Sequence, residues 1–564
     1  MDNVLVNIGE FGIYQKFVYF LICLSCMFCG FYEMMSVITL YTPGHRCKIP
    51  GLENDTYRIQ SIYHQNLIDN VIPPSDINSH SYDQCHLYST NELRSDNSSG
   101  SVNVSRIPCT EWVYSDDVFV QTITTKFNIV CSDAYLIPLV KSLYIVGKLI
   151  GAVVFGNLSD SIGRRTTFCI ALMLMFGVTF GMSWCSSYAM YTVLMMVLGA
   201  STQGIFPVGM VLSIELVGPS KRKYTGLVFE YFYSTGLVIL PSITYFLRHW
   251  YYVNIICSAP MVLFVSYWWL IPESPRWLIS KHRYQDAYNI LKKIAKANKM
   301  PIDEAIMRKE QTTTSTPGAA SRLWHLFSTR SFIFRTLIVM LGWCITSMTY
   351  YGLSLNAGNL AGDFYLNMII SGLIEMPAHT IALLIVDRVG RKRVYCMGMI
   401  LGGCACASTI IPIIINEIDN VVIVTTLAMI GKFCITTAYD TMFFYTTELF
   451  PTVLRNAALG LCSCAARTGG MVAPFIADSA VLVNGITAQV LPFGVFGFLS
   501  VIAGLSSIYL PETSYKSLPE TMEDCKLLGR SSDELVEETE TNENTYKMYG
   551  SNGQNPRNEN KTEN

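Results

Sequence analysis

Charge is scarce in this sequence: Asp, Glu, Lys and Arg make up 15% of its 564 residues, and the formal net charge is −2. No basic stripe of the kind that grips a phosphate backbone is present, so nucleic acid is not an expected partner. The eight His residues never fall into metal-ligand spacing with Cys, and the chain has neither a nucleophile elbow nor a Walker loop. An enzyme and a nucleotide-driven pump are both disfavoured, and no cofactor is expected. Apolar residues, by contrast, reach 51% with a positive mean hydropathy, too high for an ordinary soluble or a disordered chain.

The apolar residues gather into runs at 17–42, 135–156, 166–187, 189–213, 224–246 and 250–271, and again at 335–355, 364–386, 394–415, 420–446, 457–482 and 490–510. Each is near the roughly 20 residues a helix needs to cross a bilayer. The expected fold is an all-α membrane protein with twelve transmembrane helices. The first run lacks a small-residue cleavage site before Pro43, so it reads as a retained helix rather than a signal peptide. Around the runs lie a short N-terminus (1–16), an insert after helix one (43–133), helices two to six (134–271), a central loop (272–334), helices seven to twelve (335–510) and a polar tail (511–564) expected to be disordered. In the central loop Ile279, Ala287, Leu291 and Ile294 recur among basic residues, which suits amphipathic helices bracing the two halves.

The insert carries Cys47, Cys85, Cys109 and Cys131 together with sequons at Asn54, Asn97 and Asn103, the pattern of an oxidising, glycosylating compartment. Two disulfides are expected, with three connectivities open. The insert holds 6 Lys/Arg against 11 Asp/Glu, the central loop 11 against 5, and the short basic loops fall with the central loop. The positive-inside rule then makes the insert extracellular and both termini cytosolic, at the plasma membrane.

An internal echo organises the chain. GNLSDSIGRR at 156–165 returns as DRVGRKR at 387–393, ELVGPSKR at 215–222 as ELFPTVLR at 448–455, and Pro272-Glu273-Ser274 as Pro511-Glu512-Thr513. The order and near-constant offset indicate two duplicated halves in the same orientation, a parallel-repeat transporter. Asp160 with Arg164 and Arg165, Glu215 with Arg222, Asp387 with Arg391, and Glu448 with Arg455 are expected to form charge clusters that hold the cytosolic side shut.

The two DxxGRR-like loops, PESPRWLIS at 272–280, YGLSLNAGNL at 351–360, TTELFPTVLRN at 446–456 and the Cys-bearing insert together resemble the organic cation, anion and carnitine transporter family (solute carrier family 22) of the major facilitator superfamily. The resemblance is strongest in the second half, to the carnitine branch. It implies a polyspecific secondary transporter, a rocking mechanism in which the cytosolic clusters break as the cavity opens inward, and a functional monomer in the lipid bilayer.

Substrate chemistry is expected among charges inside the apolar runs. Arg467 lies roughly 15 Å along helix eleven, near mid-membrane, where a carboxylate could pair with it. The resemblance implies Arg at this position in anion and carnitine carriers and an acidic residue in cation carriers. Glu375, Glu230 and Asp440 are candidates for an ammonium group; Trp343 and Tyr350 match aromatic positions the family uses, and Tyr233, Phe444 and Tyr445 could extend the cage. Lys141 and Lys148, seven apart on helix two, are expected to face the cavity or to pair with Glu230 or Asp440. Coupling to a sodium or proton gradient stays open, since helix one is expected to offer only hydroxyls, thiols and carbonyls near its middle, at Ser25, Ser36 and Thr39.

A zwitterion such as carnitine or a betaine suits an Arg467 facing Glu375. An organic anion carrier using Arg467 with Lys141 and Lys148, an organic cation carrier, and a non-transporting substrate sensor on the same fold are the alternatives.

Overall fold

A computed structural model describes residues 2–74, 82–89, 105–301, 326–327, 329–360, 362–415, 420–479, 486–514 and 519. Among these residues twelve helical spans are long and apolar enough to cross a membrane. They are α1 (Ile13–Thr39), α2 (Cys131–Ile162), α3 (Arg164–Met182), α4 (Tyr188–Leu216), α5 (Pro219–Phe246), α6 (Trp250–Leu270), α7 (Phe332–Asn359), α8 (Phe364–Val389), α9 (Arg391–Ile415), α10 (Val421–Leu449), α11 (Leu454–Ala477) and α12 (Thr487–Tyr509). Several reach beyond the hydropathic runs, because backbone hydrogen bonding continues through polar residues: α2 includes Asp160, which the sequence reading places in a loop.

The halves repeat each other in packing. In the first, α1 packs on α5 and α3 on α4 and α6; in the second, α7 packs on α11 and α9 on α10 and α12. The α1–α5 and α7–α11 crossings have the same requirement for a residue without a side chain. A Cβ at Gly236 would sit 2.2 Å from the Met27 carbonyl, and one at Gly469, its counterpart, 1.9 Å from the Cys344 carbonyl. The halves join through α2 on α11 and α5 on α8, again equivalent pairs. Helix α8 is interrupted near its middle: Pro377 cannot donate an amide hydrogen bond, and α8 divides into Phe364–Leu373 and Glu375–Val389.

The insert is a small disulfide-tied unit. Strand β1 (His45–Cys47) pairs antiparallel with β4 (Trp112–Tyr114), and β2 (His86–Tyr88) with β3 (Arg106–Pro108). The disulfides join Cys47 to Cys109 and Cys85 to Cys131. Ile49, Ile68, Ile72 and Leu87 form its core, and the buried Arg46 guanidinium meets Asp55 at 2.5 Å. The base of the insert seals against the second half, where Phe119 contacts the rings of Phe364 and Tyr365 and the Tyr365 hydroxyl donates to the Val118 carbonyl at 2.7 Å. Asn54 stands exposed in a turn, whereas Asn97 and Asn103 lie outside the described residues.

On the far side of the membrane helices, the central-loop helices Pro275–Ser280 and Tyr284–Asn298 bury Leu278, Ile279, Leu291 and Ile294 against Val4, Leu5 and Ile8 of the N-terminus. Asn298 secures this packing by donating to the Ile8 carbonyl at 3.0 Å and to the Gln15 side chain at 2.8 Å. The amphipathic stretch therefore braces the N-terminus to α1 rather than one half to the other, because its apolar face is already covered by residues 4–8.

Candidate functional site

Between the halves, near the middle of the helices, is a cavity of about 150 Å³. It is lined by Glu33 of α1, Lys148 of α2, Gln203 and Phe206 of α4, Glu230 and Tyr233 of α5, Tyr350 and Tyr351 of α7, His379 of α8, Tyr439 and Asp440 of α10 and Arg467 of α11. That volume is below the roughly 300–1,000 Å³ of pockets for drug-sized ligands, so it suits a small ion.

Five of the charged side chains divide into paired and unpaired. Lys148 is held by Glu33, which also accepts from the Tyr144 hydroxyl at 3.2 Å, and its ammonium lies 5.0 and 5.1 Å from the ring centres of Tyr144 and Tyr351. Asp440 accepts from His379 Nδ1 at 2.6 Å. Among the described residues Arg467 donates only to neutral groups, the Tyr351 hydroxyl at 3.1 Å and Gln203 Oε1 at 3.3 Å, and its Nε has no partner. It forms no ion pair with Asp440 or Glu448 among the described residues. Glu230, the sixth charged residue here, has neither a hydrogen bond nor an ion pair among them. One guanidinium and one carboxylate thus face the same space without an ion-pair partner among the described residues.

Aromatic rings line the cavity in two groups. Tyr350 stacks on Tyr439 at 5.3 Å and meets Tyr351 edge-on at 5.4 Å, while Phe206 packs on Tyr233 at 5.5 Å. Trp343 stands behind the first group: it touches Tyr439 at 5.8 Å, and its Nε1 donates to Thr446 at 2.9 Å.

The cavity gathers Arg467, Glu230, Asp440, Tyr233, Tyr350 and Lys148 of the candidates, and the rest lie elsewhere. Glu375 is fully buried beside the kink of α8, paired with Lys432 at 3.0 Å and accepting from the Tyr350 hydroxyl at 3.1 Å, so its charge is already met. Lys141 pairs with Asp478 through contacts of 2.7 and 2.9 Å, and Lys148 with Glu33; neither reaches Glu230 or Asp440. Phe444 is 43% exposed on the outer surface of α10, and the Tyr445 hydroxyl donates to the Pro511 carbonyl at 2.6 Å. Phe444 lies one turn beyond Asp440 along α10, and Tyr445, five positions on, is turned about 140° round the helix from it.

Glu33, Gln203, Tyr351, His379 and Tyr439 are not among the site residues expected from the sequence. Glu33 overturns the expectation that the first helix offers only uncharged donors. It is a lone carboxylate inside an apolar run, the signal that singled out Glu230 and Glu375.

At the far side the echoed motifs build matching clusters. Arg164 lies 2.9 Å from Asp160 and 3.6 Å from Glu215; Arg391 lies 3.1 Å from Asp387 and 3.0 Å from Glu448. Gly163 and Gly390 turn with φ of 112° and 105°, a left-handed conformation costly for other residues, and bring an amide one or two residues on to a carboxylate. Glu273 accepts from the Arg165 amide at 3.0 Å and Glu512 from the Arg391 amide at 2.9 Å. The expected partnerships of Glu215 with Arg222 and of Glu448 with Arg455 do not form. Arg222 reaches Asp2 instead, and Arg455 makes no ion pair among the described residues. Arg165 turns away to the Trp268 carbonyl. These clusters lie within each half; among the described residues Lys223 with Asp387 is an ion pair that crosses between halves here.

Comparison with known proteins agrees with this architecture. Residues 82–524 match the model of the family described as "Sugar (and other) transporter". The "Organic cation transporter protein" of Drosophila melanogaster is 34% identical, across 98% of this chain and 100% of its own length. "Solute carrier family 22 member 4" of Mus musculus is 32% identical across 93% and 94%, and the "Organic cation/carnitine transporter 2" of Homo sapiens 30% across 93% of both. The xylose transporter XylE from E. coli, solved in a partially occluded inward open conformation, superposes with a TM-score of 0.59 over 90% of this chain and all of its own; at 16% identity it shows the fold alone. With its duplicated six-helix halves and these relatives, the chain belongs to the sugar (and other) transporter family of the major facilitator superfamily and, within it, to solute carrier family 22, whose members are transporters and not enzymes.

Proposed function

We propose that the protein carries small organic ions bearing both an amine-derived cation and a carboxylate, such as carnitine or a betaine, across the plasma membrane by alternating access. The observation behind this reading is the coexistence of unpaired Arg467 and unpaired Glu230 in one cavity lined by both halves. A charge left unpaired in a dehydrated site costs several kcal/mol, so the favoured substrate supplies the complement of each. A carboxylate meets Arg467 in bidentate fashion, and a quaternary ammonium rests against Glu230 with Tyr233 nearby. Glu375, expected to serve as the cation partner, is replaced in this role by Glu230 because Lys432 already neutralises it. An anion carrier using Arg467 with Lys141 and Lys148 is less favoured, as both lysines have carboxylate partners.

Competition among carnitine, para-aminohippurate and tetraethylammonium in expressing cells tests the proposal. Carnitine should displace the other two at the lowest concentration. Transport of tetraethylammonium alone, unchanged by Arg467→Ala, would leave a plain cation carrier, and binding without uptake into proteoliposomes would leave a sensor.

The insert, with its disulfides and exposed Asn54, is assigned to the extracellular side and the termini to the cytosol. The transporting unit is a monomer, since the cavity is completed by the two halves of one chain.

A further inference from the structure

His379 was not among the expected site residues, yet it lies at the centre of the cavity's charge balance. Its Nδ1 is held by Asp440 at 2.6 Å, while its Nε2, on a side chain only 7% exposed, lines the cavity without a hydrogen-bond partner. The charges facing it come from every element around the site. Glu33 of α1 and Lys148 of α2 cancel, as do Glu375 of α8 and Lys432 of α10 behind Tyr350; Glu230 of α5 and Arg467 of α11 are unpaired but opposite. Asp440 of α10 remains. With an imidazolium at His379 the empty cavity sums to zero, and with a neutral imidazole it carries one excess negative charge.

A monovalent organic cation beside Glu230 brings the sum to zero only if His379 is neutral. Excess charge in a site of low dielectric is expensive, so one proton and one organic cation are alternative occupants of this cavity. By linkage, each lowers the affinity for the other by the same factor. A net-neutral zwitterion leaves the balance as it was and displaces no proton.

We propose that the His379–Asp440 pair is a proton site that exchanges one proton for each organic monocation carried, while zwitterions pass without exchange. On cation binding the Nε2–H bond breaks, its electron pair stays on the nitrogen, and the proton passes to water on the side to which the cavity is open. The Nδ1 proton stays with Asp440. After the cation leaves on the other side, a proton from that side rebinds at Nε2 and the empty cavity is neutral again. The exchange is electroneutral, and it rests on reading the cavity as the organic-ion site.

The test uses the full chain in proteoliposomes free of sodium, with potassium and valinomycin clamping the voltage at zero and a pH dye inside. A lumen one pH unit more acidic than the medium should accumulate tetraethylammonium toward about tenfold, as expected for one-to-one exchange, and the lumen should alkalinise as it enters. Carnitine entry should move neither the dye nor respond to the gradient. His379→Gln and Asp440→Asn should each lower tetraethylammonium uptake and leave the remainder following voltage rather than pH. Wild-type accumulation that follows voltage alone, with a silent dye, overturns the exchange but keeps the organic-ion reading. Entry of neither tetraethylammonium nor carnitine would overturn that reading and the exchange with it. Should both variants fail to fold, the wild-type dye signal still decides the question.

Discussion

At Arg467 the guanidinium has two neutral partners and a bare Nε, so a ligand carboxylate has room to complete it. Arg467→Ala should therefore abolish carnitine uptake while leaving the amount of folded protein at the cell surface unchanged, measured as uptake per surface-labelled molecule. Glu230→Gln should weaken tetraethylammonium uptake selectively. Glu375 behaves differently: removing its charge leaves Lys432 buried alone, a loss of about 3–5 kcal/mol for a broken buried pair. Glu375→Leu should lower the thermal midpoint sharply, and adding Lys432→Met should restore it; an unchanged midpoint in the single variant would mean the pair is not formed. The sequence marked Glu375 and Glu230 alike as carboxylates in apolar runs. It could not separate them, because the lysine that neutralises one comes from a different helix.

Among the helices, the two sides of the membrane are closed by different devices. On the side of the insert, Lys141 of α2 and Asp478, just past α11, form a buried pair across the interface between halves, and Ser142 donates to the Met471 carbonyl at 2.7 Å. Opening that side must separate the two charges. Lys141→Asp alone should trap cavity cysteines in an insert-side accessible state, and the exchange Lys141→Asp with Asp478→Lys should restore wild-type labelling. On the far side, the repeated carboxylates of the DxxGRR motifs are unequal despite their matched positions. Asp160 is 75% exposed at its side chain and pairs within its own half with Arg164, a surface contact worth a few tenths of a kcal/mol. Asp387 also binds Lys223 of the other half. Asp387→Asn should open the far side by itself, Asp160→Asn should add little, and equal effects on cysteine accessibility would contradict the asymmetry. The echo revealed the repeat and its acidic members, but which of them crosses the interface depends on how α5 lies against α8.

Across the whole molecule, the insert should behave as an acid-resistant cap. Burial alone would raise the Asp55 carboxyl, but the Arg46 guanidinium and the Ile49 amide outweigh it and hold it below its ordinary value of 3.8. A depressed carboxylate stabilises above its unfolded value and loses that contribution as pH falls through the folded one. Protease resistance of the insert should accordingly persist from pH 7 down to about 4 and fall below it. Arg46→Ala should move that loss to higher pH. Peptide-N-glycosidase should shift the gel band if Asn54, Asn97 and Asn103 carry glycans, and the absence of a shift from normally glycosylating cells would reverse the assigned orientation. The number of membrane helices, the duplication and the insert's paired cysteines were determined by the sequence itself, because hydropathy, motif order and cysteine count are local or additive properties of the chain. Which cysteines pair, why Lys141 and Lys148 are neutralised, and why Glu230, Arg467 and His379 share one cavity were decided only by the tertiary structure. Each depends on partners from helices distant in sequence, and a charge in a dehydrated site is defined by what lies within about 4 Å of it in space.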